Sequence, residues 1–145
     1  MSKVENVAES KNFKAINIGK LEDIKNFSLG ELKSRVFLKD LINSTGSEIS
    51  INSIPTNMEL PFFHAHKQNE EIYIFLKGEG KFQVDNDVFS VQDGSIIRVS
   101  PEGKRSLKNT SDTDLIWICI QVKANSLEQY TVNDGIVVKE NISKL

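Results

Sequence analysis

Two histidines one residue apart, followed by two glutamates, are the side chains of this sequence best suited to bind a metal. They occur in LPFFHAHKQNEEIYIFLKGEG, residues 60–80, and His64 and His66 are the only histidines in the chain. If residues 62–66 form a strand, its alternation directs both imidazoles to one face. An antiparallel strand after a turn at residues 67–69 then brings Glu70 or Glu71 opposite them.

Two imidazoles and one carboxylate form the facial ligand set that suits iron(II) and related divalent metals, and it leaves positions open for a substrate. The alternative is a histidine pair that packs on a half-exposed face and binds nothing.

Short β-prone runs must position these side chains. In SEISINSI, residues 47–54, Ile49 and Ile51 share one face and Ser50 and Asn52 the other, which is the period of a half-buried strand. Further along the chain, the sequence DND follows Val84 and is short enough to close a tight hairpin, because Asn and Asp tolerate positive φ.

The many short strands and close turns predict an all-β fold, since parallel strands would need long crossovers between neighbours. We expect an antiparallel sandwich or barrel, an architecture that often encloses a small-molecule cavity. Helix is predicted only at residues 21–27, with a short turn near residues 126–130. Strands are predicted at residues 47–54, 62–66, 71–77, 81–84, 88–91, 96–99, 106–109, 115–122 and 136–139.

The 145 residues suit one domain, with an N-terminal arm and first strands at 1–46, a barrel core at 47–122, and a C-terminal strand and tail at 123–145. A net charge of −2 with interleaved acids and lysines argues against nucleic acid as a partner. The chain has no apolar run of about 18 residues, so we expect no membrane insertion. The N-terminus lacks the apolar core of a secretory signal and Cys119 is the only cysteine, so we expect a cytoplasmic protein.

The stretch around the histidines resembles the first motif of the cupin superfamily. That motif runs Gly, five residues, His-x-His, three or four residues, Glu, six residues, Gly. His64, His66, Glu71 and Gly78 match it with the four-residue spacing, while Met58 replaces the first glycine. The resemblance implies a double-stranded β-helix, or jelly-roll, barrel. It also implies that His64, His66 and Glu71 are metal ligands and that Glu70 faces outward or braces the turn.

The second cupin motif, Gly, five residues, Pro-x-Gly, two residues, His, three residues, Asn, is similar to the stretch from Gly94 to Asn109. The fourth metal ligand of the family, a histidine, is replaced there by Arg105, or by Ser106 if the frame slips by one residue. A guanidinium offers donors only and cannot bind a metal. Two unit charges of like sign 4 Å apart repel by about 4 kcal/mol at an effective dielectric near 20, so an inward Arg105 would weaken metal binding.

Three interpretations of Arg105 stay open. It pairs with Glu71 across the pocket, it holds a carboxylate or phosphate of the ligand, or it lies on the solvated surface with Lys104 and Lys108. Either of the first two makes it part of a ligand-binding pocket.

Phe62, Tyr73 and Phe75 are further candidates to line the pocket, although aromatic residues at strand spacing are also typical of a core. The hypothesis is a small-molecule-binding barrel with a divalent metal such as Fe, Mn, Ni or Zn, acting as an oxygenase or isomerase on a small organic acid or sugar-like molecule. The alternative is a non-catalytic binding or sensing module. The resemblance to the cupins also implies a homodimer.

Overall fold

The computed structural model describes residues 4–145, which form mostly antiparallel β structure. Short helices are few: α1 spans Lys39–Ile42, and 3₁₀ helices span Leu21–Asn26 and Thr131–Asn133. Within the described residues, no helix has the length and apolar character that a membrane span requires. The strands are β1 (Glu5–Ser10), β2 (Phe13–Asn17), β3 (Ser28–Leu29), β4 (Leu32–Lys33), β5 (Arg35–Phe37), β6 (Glu48–Ile54), β7 (Asn69–Lys77), β8 (Glu79–Val84), β9 (Asp87–Gln92), β10 (Ile96–Val99), β11 (Arg105–Asn109) and β12 (Leu115–Lys123).

Two sheets enclose the core. The larger has five strands in the order β10-β7-β12-β6-β5, and the smaller has three in the order β11-β8-β9. Aromatic rings join them: Phe82 of the smaller sheet lies with its ring centroid 4.9 Å from that of Tyr73 and 6.2 Å from that of Phe75, both on the larger sheet. The prediction of an all-β jelly roll is therefore confirmed.

Strand β7 shows how the sequence pattern directs side chains. Its alternate residues Glu71, Tyr73 and Phe75 are buried, while the intervening residues are partly exposed. Glu70 faces outward, where its carboxylate lies 2.9 Å from Nη1 of Arg98. The predicted hairpin between β8 and β9 also forms, and Asp85 takes the positive φ of 52° that its turn requires.

Several predicted elements differ in the structure. The helix expected at residues 21–27 is a 3₁₀ helix at Leu21–Asn26, and the turn expected near residues 126–130 falls at residues 124–125. Residues 136–139 form no strand, because no neighbouring strand pairs with them in the described chain and their side chains are exposed. Their β-branched composition favours a strand, but a strand forms only where backbone partners exist.

Residues 62–66 are extended but do not form a regular strand. Leu60 N donates to Leu107 O at 3.0 Å, and His64 N donates to Arg105 O at 3.2 Å. Residues 61–63 therefore stand opposite Ser106 alone, as a bulge of two extra residues. Pro61 lacks the N–H that a regular ladder would use at this point.

Asn109, the last residue of β11, is fully buried and its amide connects three segments. Nδ2 donates to the carbonyls of Ile54 at 3.1 Å and Thr113 at 2.7 Å. Oδ1 accepts from the backbone N–H and the hydroxyl of Ser111, at 2.9 Å and 2.7 Å. These bonds fix the end of the strand that begins with Arg105.

We expect Asn109→Ala to lower the free energy of unfolding by more than about 2 kcal/mol, because each buried polar group left unsatisfied costs about 1–3 kcal/mol. Urea unfolding measures the change. The control is Asn133→Ala, at an exposed position, where a change within about 0.5 kcal/mol is expected. Equal effects of the two substitutions would contradict the role given to Asn109.

Candidate metal centre

The two sheets each contribute to one cluster of side chains whose types suit a metal ion. His64 and His66 come from the extended segment that borders β11, at the edge of the smaller sheet. Glu71 comes from β7 of the larger sheet. The expectation that Glu71 would lie on a strand adjacent to the histidines is wrong, because β10 and β12 already occupy both edges of β7. The carboxylate instead meets the imidazoles across the interior.

The distances within this cluster suit ligands that share one ion. Nε2 of His66 lies 3.0 Å from Oε1 of Glu71, and Nε2 of His64 lies 3.3 Å from Oε2. One potential ligand atom from each residue lies within 4.8 Å of the others. Two ligand atoms about 2.1 Å from an ion and at right angles are about 3 Å apart, so the three residues fit a divalent metal. Both imidazoles do project to one side, although the backbone that carries them is irregular.

The two oxygens of Glu71 have different surroundings. Oε2 accepts a hydrogen bond from the Tyr73 hydroxyl and lies 3.2 Å from Nε of Arg105. Oε1 is contacted by His66 at 3.0 Å. Carboxylates that bind a metal are usually held by such outer partners. Tyr73 and Arg105 therefore orient Glu71 through Oε2, which His64 also approaches, and leave Oε1 directed toward His66.

The ionisation of Glu71 follows from these contacts. Burial by itself raises the pKa of the carboxyl, but hydrogen bonds from His64 and Tyr73 and the charge of Arg105 outweigh it and lower the pKa to about 2. Burial, and then the neighbouring Cys119 and Glu71, raise the pKa of the Tyr73 phenol. The interior thus holds a carboxylate beside a protonated tyrosine.

Arg105 lies inside the protein, with 1% of its surface exposed. Its Nη1 and Nη2 donate to the carbonyls of His64 and Ser100, each at 3.3 Å. Its Nε forms an ion pair with Glu71 at 3.2 Å, although the N–H does not point along a hydrogen bond. The surface interpretation of Arg105 is therefore wrong, and the pairing with Glu71 is the arrangement observed. Ser106 is buried as well, with its hydroxyl unpartnered in residues 4–145.

The cluster borders a cavity of about 200 Å³ between the sheets. Of the residues predicted to line a pocket, Phe62, Tyr73 and Arg105 do so, and Phe62 is 46% exposed. Phe75 has a core position instead. It is 1% exposed and packs against Phe82 and Trp117, since its ring lies deeper between the sheets than the cavity wall.

Sequence reasoning missed the polar residues that line the cavity from the larger sheet. These residues lie on β5, β6 and β12, and they are Arg35, Ser50, Asn52 and Gln121. The alternation of residues 47–54 was visible, but its polar face, not its isoleucine face, turns toward the cavity. The 3₁₀ helix Leu21–Asn26 packs on β6 through its buried Ile24, which does not line the cavity.

Comparisons with known proteins agree with this fold. The model of the cupin domain family matches residues 54–121. The crystal structure of a cupin protein from Bacteroides fragilis is 40% identical, with a TM-score of 0.73, and the match covers 89% of this chain and 99% of that one. The chain therefore belongs to the cupin family.

Two more distant matches show how far the similarity extends. The Cnp3 cupin domain of Schizosaccharomyces pombe has the same fold at 16% identity, with a TM-score of 0.52 over 55% of this chain and 58% of that one. An uncharacterized protein of Methanocaldococcus jannaschii is 34% identical over 56 residues, which are 39% of this chain and 45% of that protein. This chain thus matches less than half the length of that curated relative.

The lowered pKa of Glu71 predicts an acid-sensitive contribution to stability. The ionised form stabilises the fold fully above pH 4.5, the ordinary pKa, and this contribution is lost as the pH falls toward about 2. Over that window, metal-free Glu71→Gln should lose less of its free energy of unfolding than the wild type. Urea titrations at each pH measure the slopes. Glu70→Gln, which changes the outward neighbour, should keep the wild-type slope, and equal slopes for all three proteins would contradict the prediction.

Arg105 should limit metal affinity. Like charges 4 Å apart repel by about 4 kcal/mol at an effective dielectric near 20, whereas loss of an outer partner typically costs about 10–100-fold in affinity. Because the repulsion is the larger effect, we expect Arg105→Ala to bind Mn²⁺ or Zn²⁺ at least about tenfold more tightly than the wild type. Isothermal titration calorimetry measures the affinity. Arg98→Ala is the surface control, and a weaker affinity in Arg105→Ala would show that orientation of Glu71 matters more than repulsion.

Proposed function

We propose that this cupin binds a small organic acid at a divalent metal held by His64, His66 and Glu71. The observation that carries the proposal is the convergence of these three side chains on a cavity of about 200 Å³. Iron, manganese, nickel and zinc all accept this donor set. A metal held there supplies a Lewis acid that polarises an oxygen of the bound molecule and orients it.

The protein's own residues provide positioning and charge. Arg105 and Tyr73 hold the carboxylate of Glu71 in one orientation through Oε2. Leu60 and Trp117 are apolar parts of the cavity wall, where they reduce the water that competes for a ligand. A bound anion gains from this environment, because electrostatic attraction is stronger where water is excluded.

The acid and base groups of the cavity favour binding over acid–base catalysis. The pKa of the Tyr73 phenol is raised first by burial, and the pKa of the Cys119 thiol is raised first by burial and then by Glu71. Both groups stay protonated near neutral pH, so neither accepts a proton readily. This observation favours a binding or sensing module over an isomerase that needs a base.

Turnover is a second candidate. A facial ligand set leaves coordination positions for a substrate and for oxygen, which is what an oxygenase requires. Its support is the donor set of His64, His66 and Glu71, which is the same for both candidates. Oxygen consumption by the iron-loaded protein in the presence of small organic acids would favour the oxygenase.

The test of the metal site is the metal content of untagged protein. We expect about one Fe, Mn, Ni or Zn per chain by plasma mass spectrometry after incubation with the metal and desalting. His64→Ala should weaken the affinity by more than about 100-fold, because loss of a ligand exceeds the 10–100-fold effect of losing an outer partner.

Glu70 and Glu71 provide a matched pair of variants. Glu71→Gln removes a ligand, whereas Glu70→Gln changes an outward carboxylate that pairs with Arg98 at 2.9 Å. Only the first should lose the metal. The proposed site would be refuted if the wild type bound none of the four metals, or if His64→Ala bound them with the same affinity as the wild type.

A further inference from the structure

The charged residues of the cavity wall are two arginines and one glutamate. Arg105 has its counter-charge, because its Nε lies 3.2 Å from the carboxylate of Glu71. Arg35 has none. Among residues 4–145 its side chain makes no ion pair or hydrogen bond, and its Nε is buried without a partner. The cavity therefore contains one cation that no residue of the described chain neutralises.

The sheet register places Arg35 among polar neighbours on the inner face. On β5, Arg35 lies opposite Asn52 of β6, and Phe37 lies opposite Ser50. The Asn52 amide donates to the Ser50 hydroxyl at 3.0 Å, so these two groups are tied to each other and not to the arginine. Burial lowers the pKa of Arg35, as expected for a charge withdrawn from water without a partner.

The carboxylate on the paired strand β6 is that of Glu48, which accepts a hydrogen bond from the Lys39 N–H at 3.3 Å and forms no ion pair with Arg35. The carboxylate of Glu71, which also lines the cavity, is already shared by His64, His66, Tyr73 and Arg105. A cation that is partly withdrawn from water and unpaired is costly for the fold, so its retention indicates a partner from outside the chain.

We infer that Arg35 binds a carboxylate of the ligand, whose other end faces the His64, His66 and Glu71 cluster. A guanidinium holds a carboxylate through two parallel hydrogen bonds, and the Ser50 hydroxyl is free to donate a third. The wall also carries apolar side chains, Leu32, Phe37 and Trp117, which suit a hydrocarbon segment. The ligand class is a short-chain dicarboxylate, a size that suits a cavity of about 200 Å³.

The carboxylate of the ligand that faces His64, His66 and Glu71 rests on the proposed function, since the metal would polarise that end. The carboxylate that faces Arg35 rests on Arg35 alone. The probes are succinate, glutarate and adipate, compared with butyrate and with the neutral 1,5-pentanediol. Calorimetry is performed on manganese-loaded and on chelator-treated protein. Glutarate or a neighbour in the series should bind the loaded wild type most tightly, and pentanediol should not bind.

Three variants isolate the contribution of Arg35. Arg35→Gln should weaken dicarboxylate binding by about 10–100-fold, the loss expected for a charge-assisted hydrogen bond, while the Mn²⁺ stoichiometry and affinity stay unchanged. Arg35→Met should remove the preference for a dicarboxylate over a neutral ligand. It should also raise the melting temperature of the ligand-free protein, since it removes an unpaired and partly buried cation. Arg98→Gln, on the surface and 58% exposed, should change neither property.

The outcomes separate the inference from the proposed function. Dicarboxylate binding to chelator-treated protein that depends on Arg35, in a protein that binds no metal, supports the inference and refutes the metal site. Metal-dependent binding that is unchanged in Arg35→Gln refutes the inference and leaves the metal site. If no member of the series binds at millimolar concentration, or if Arg35→Met lowers the melting temperature as a structural role requires, the inference is wrong.

Discussion

The buried carboxylate of Glu71 is the interaction on which the rest of the site depends. It is 3% exposed, and a charge withdrawn so far from water is tolerated only with close compensation. His64 and His66 approach it from the segment beside the smaller sheet, while Arg105 approaches from β11. The facing sheets must therefore pack in one register for the charge to be satisfied, and that packing also brings together the three side chains that suit a metal ion.

Arg105 has two opposed effects at this point. As a cation beside Glu71 it lowers the cost of burying the carboxylate, and its bonds to the His64 and Ser100 carbonyls fix the backbone around the cluster. As a positive charge it repels any metal held nearby. The second cupin motif provides a histidine ligand at this position, so the exchange for arginine replaces a metal ligand by a counter-ion. A three-ligand site of moderate affinity is the expected compromise.

The charges that line the cavity are unevenly compensated, because strand alternation directs Arg35 as well as Glu71 to the inner face of the larger sheet. The cavity is lined by a compensated cluster of Glu71, Arg105 and the histidines. It is also lined by Arg35, which lies three strands from Glu71 in the same sheet and has no counter-charge in the described residues. Ser50 and Asn52 are buried polar residues on the same inner face, which is costly for a core and sensible for a ligand site. This distribution of charge suits the proposed anion, which would reach from Arg35 toward the cluster of His64, His66 and Glu71.

Much of the fold was determined by the sequence itself. The period of two in β7 fixes Glu71, Tyr73 and Phe75 on the buried face, and the DND turn fixes the hairpin of β8 and β9, because both signals are local. The spacing of His64, His66 and Glu71 named the candidate ligands through the resemblance to the cupins. The strand predicted at residues 136–139 from β propensity alone does not form, since a strand needs a pairing partner that local sequence does not reveal.

Only the tertiary structure decided how these parts meet. It showed that the carboxylate reaches the imidazoles from the opposite sheet, because β7 has neighbours on both edges. It also showed that Arg105 points inward. The local sequence, with a lysine before it and a serine after it, had left open whether Arg105 lies at the surface or in the pocket. Arg35 precedes Glu71 by 36 residues in the sequence, and both line the same cavity because β5, β6, β12 and β7 pair in one sheet. Long-range register of this kind is a property of the packed sheets, and short sequence patterns cannot encode it on their own.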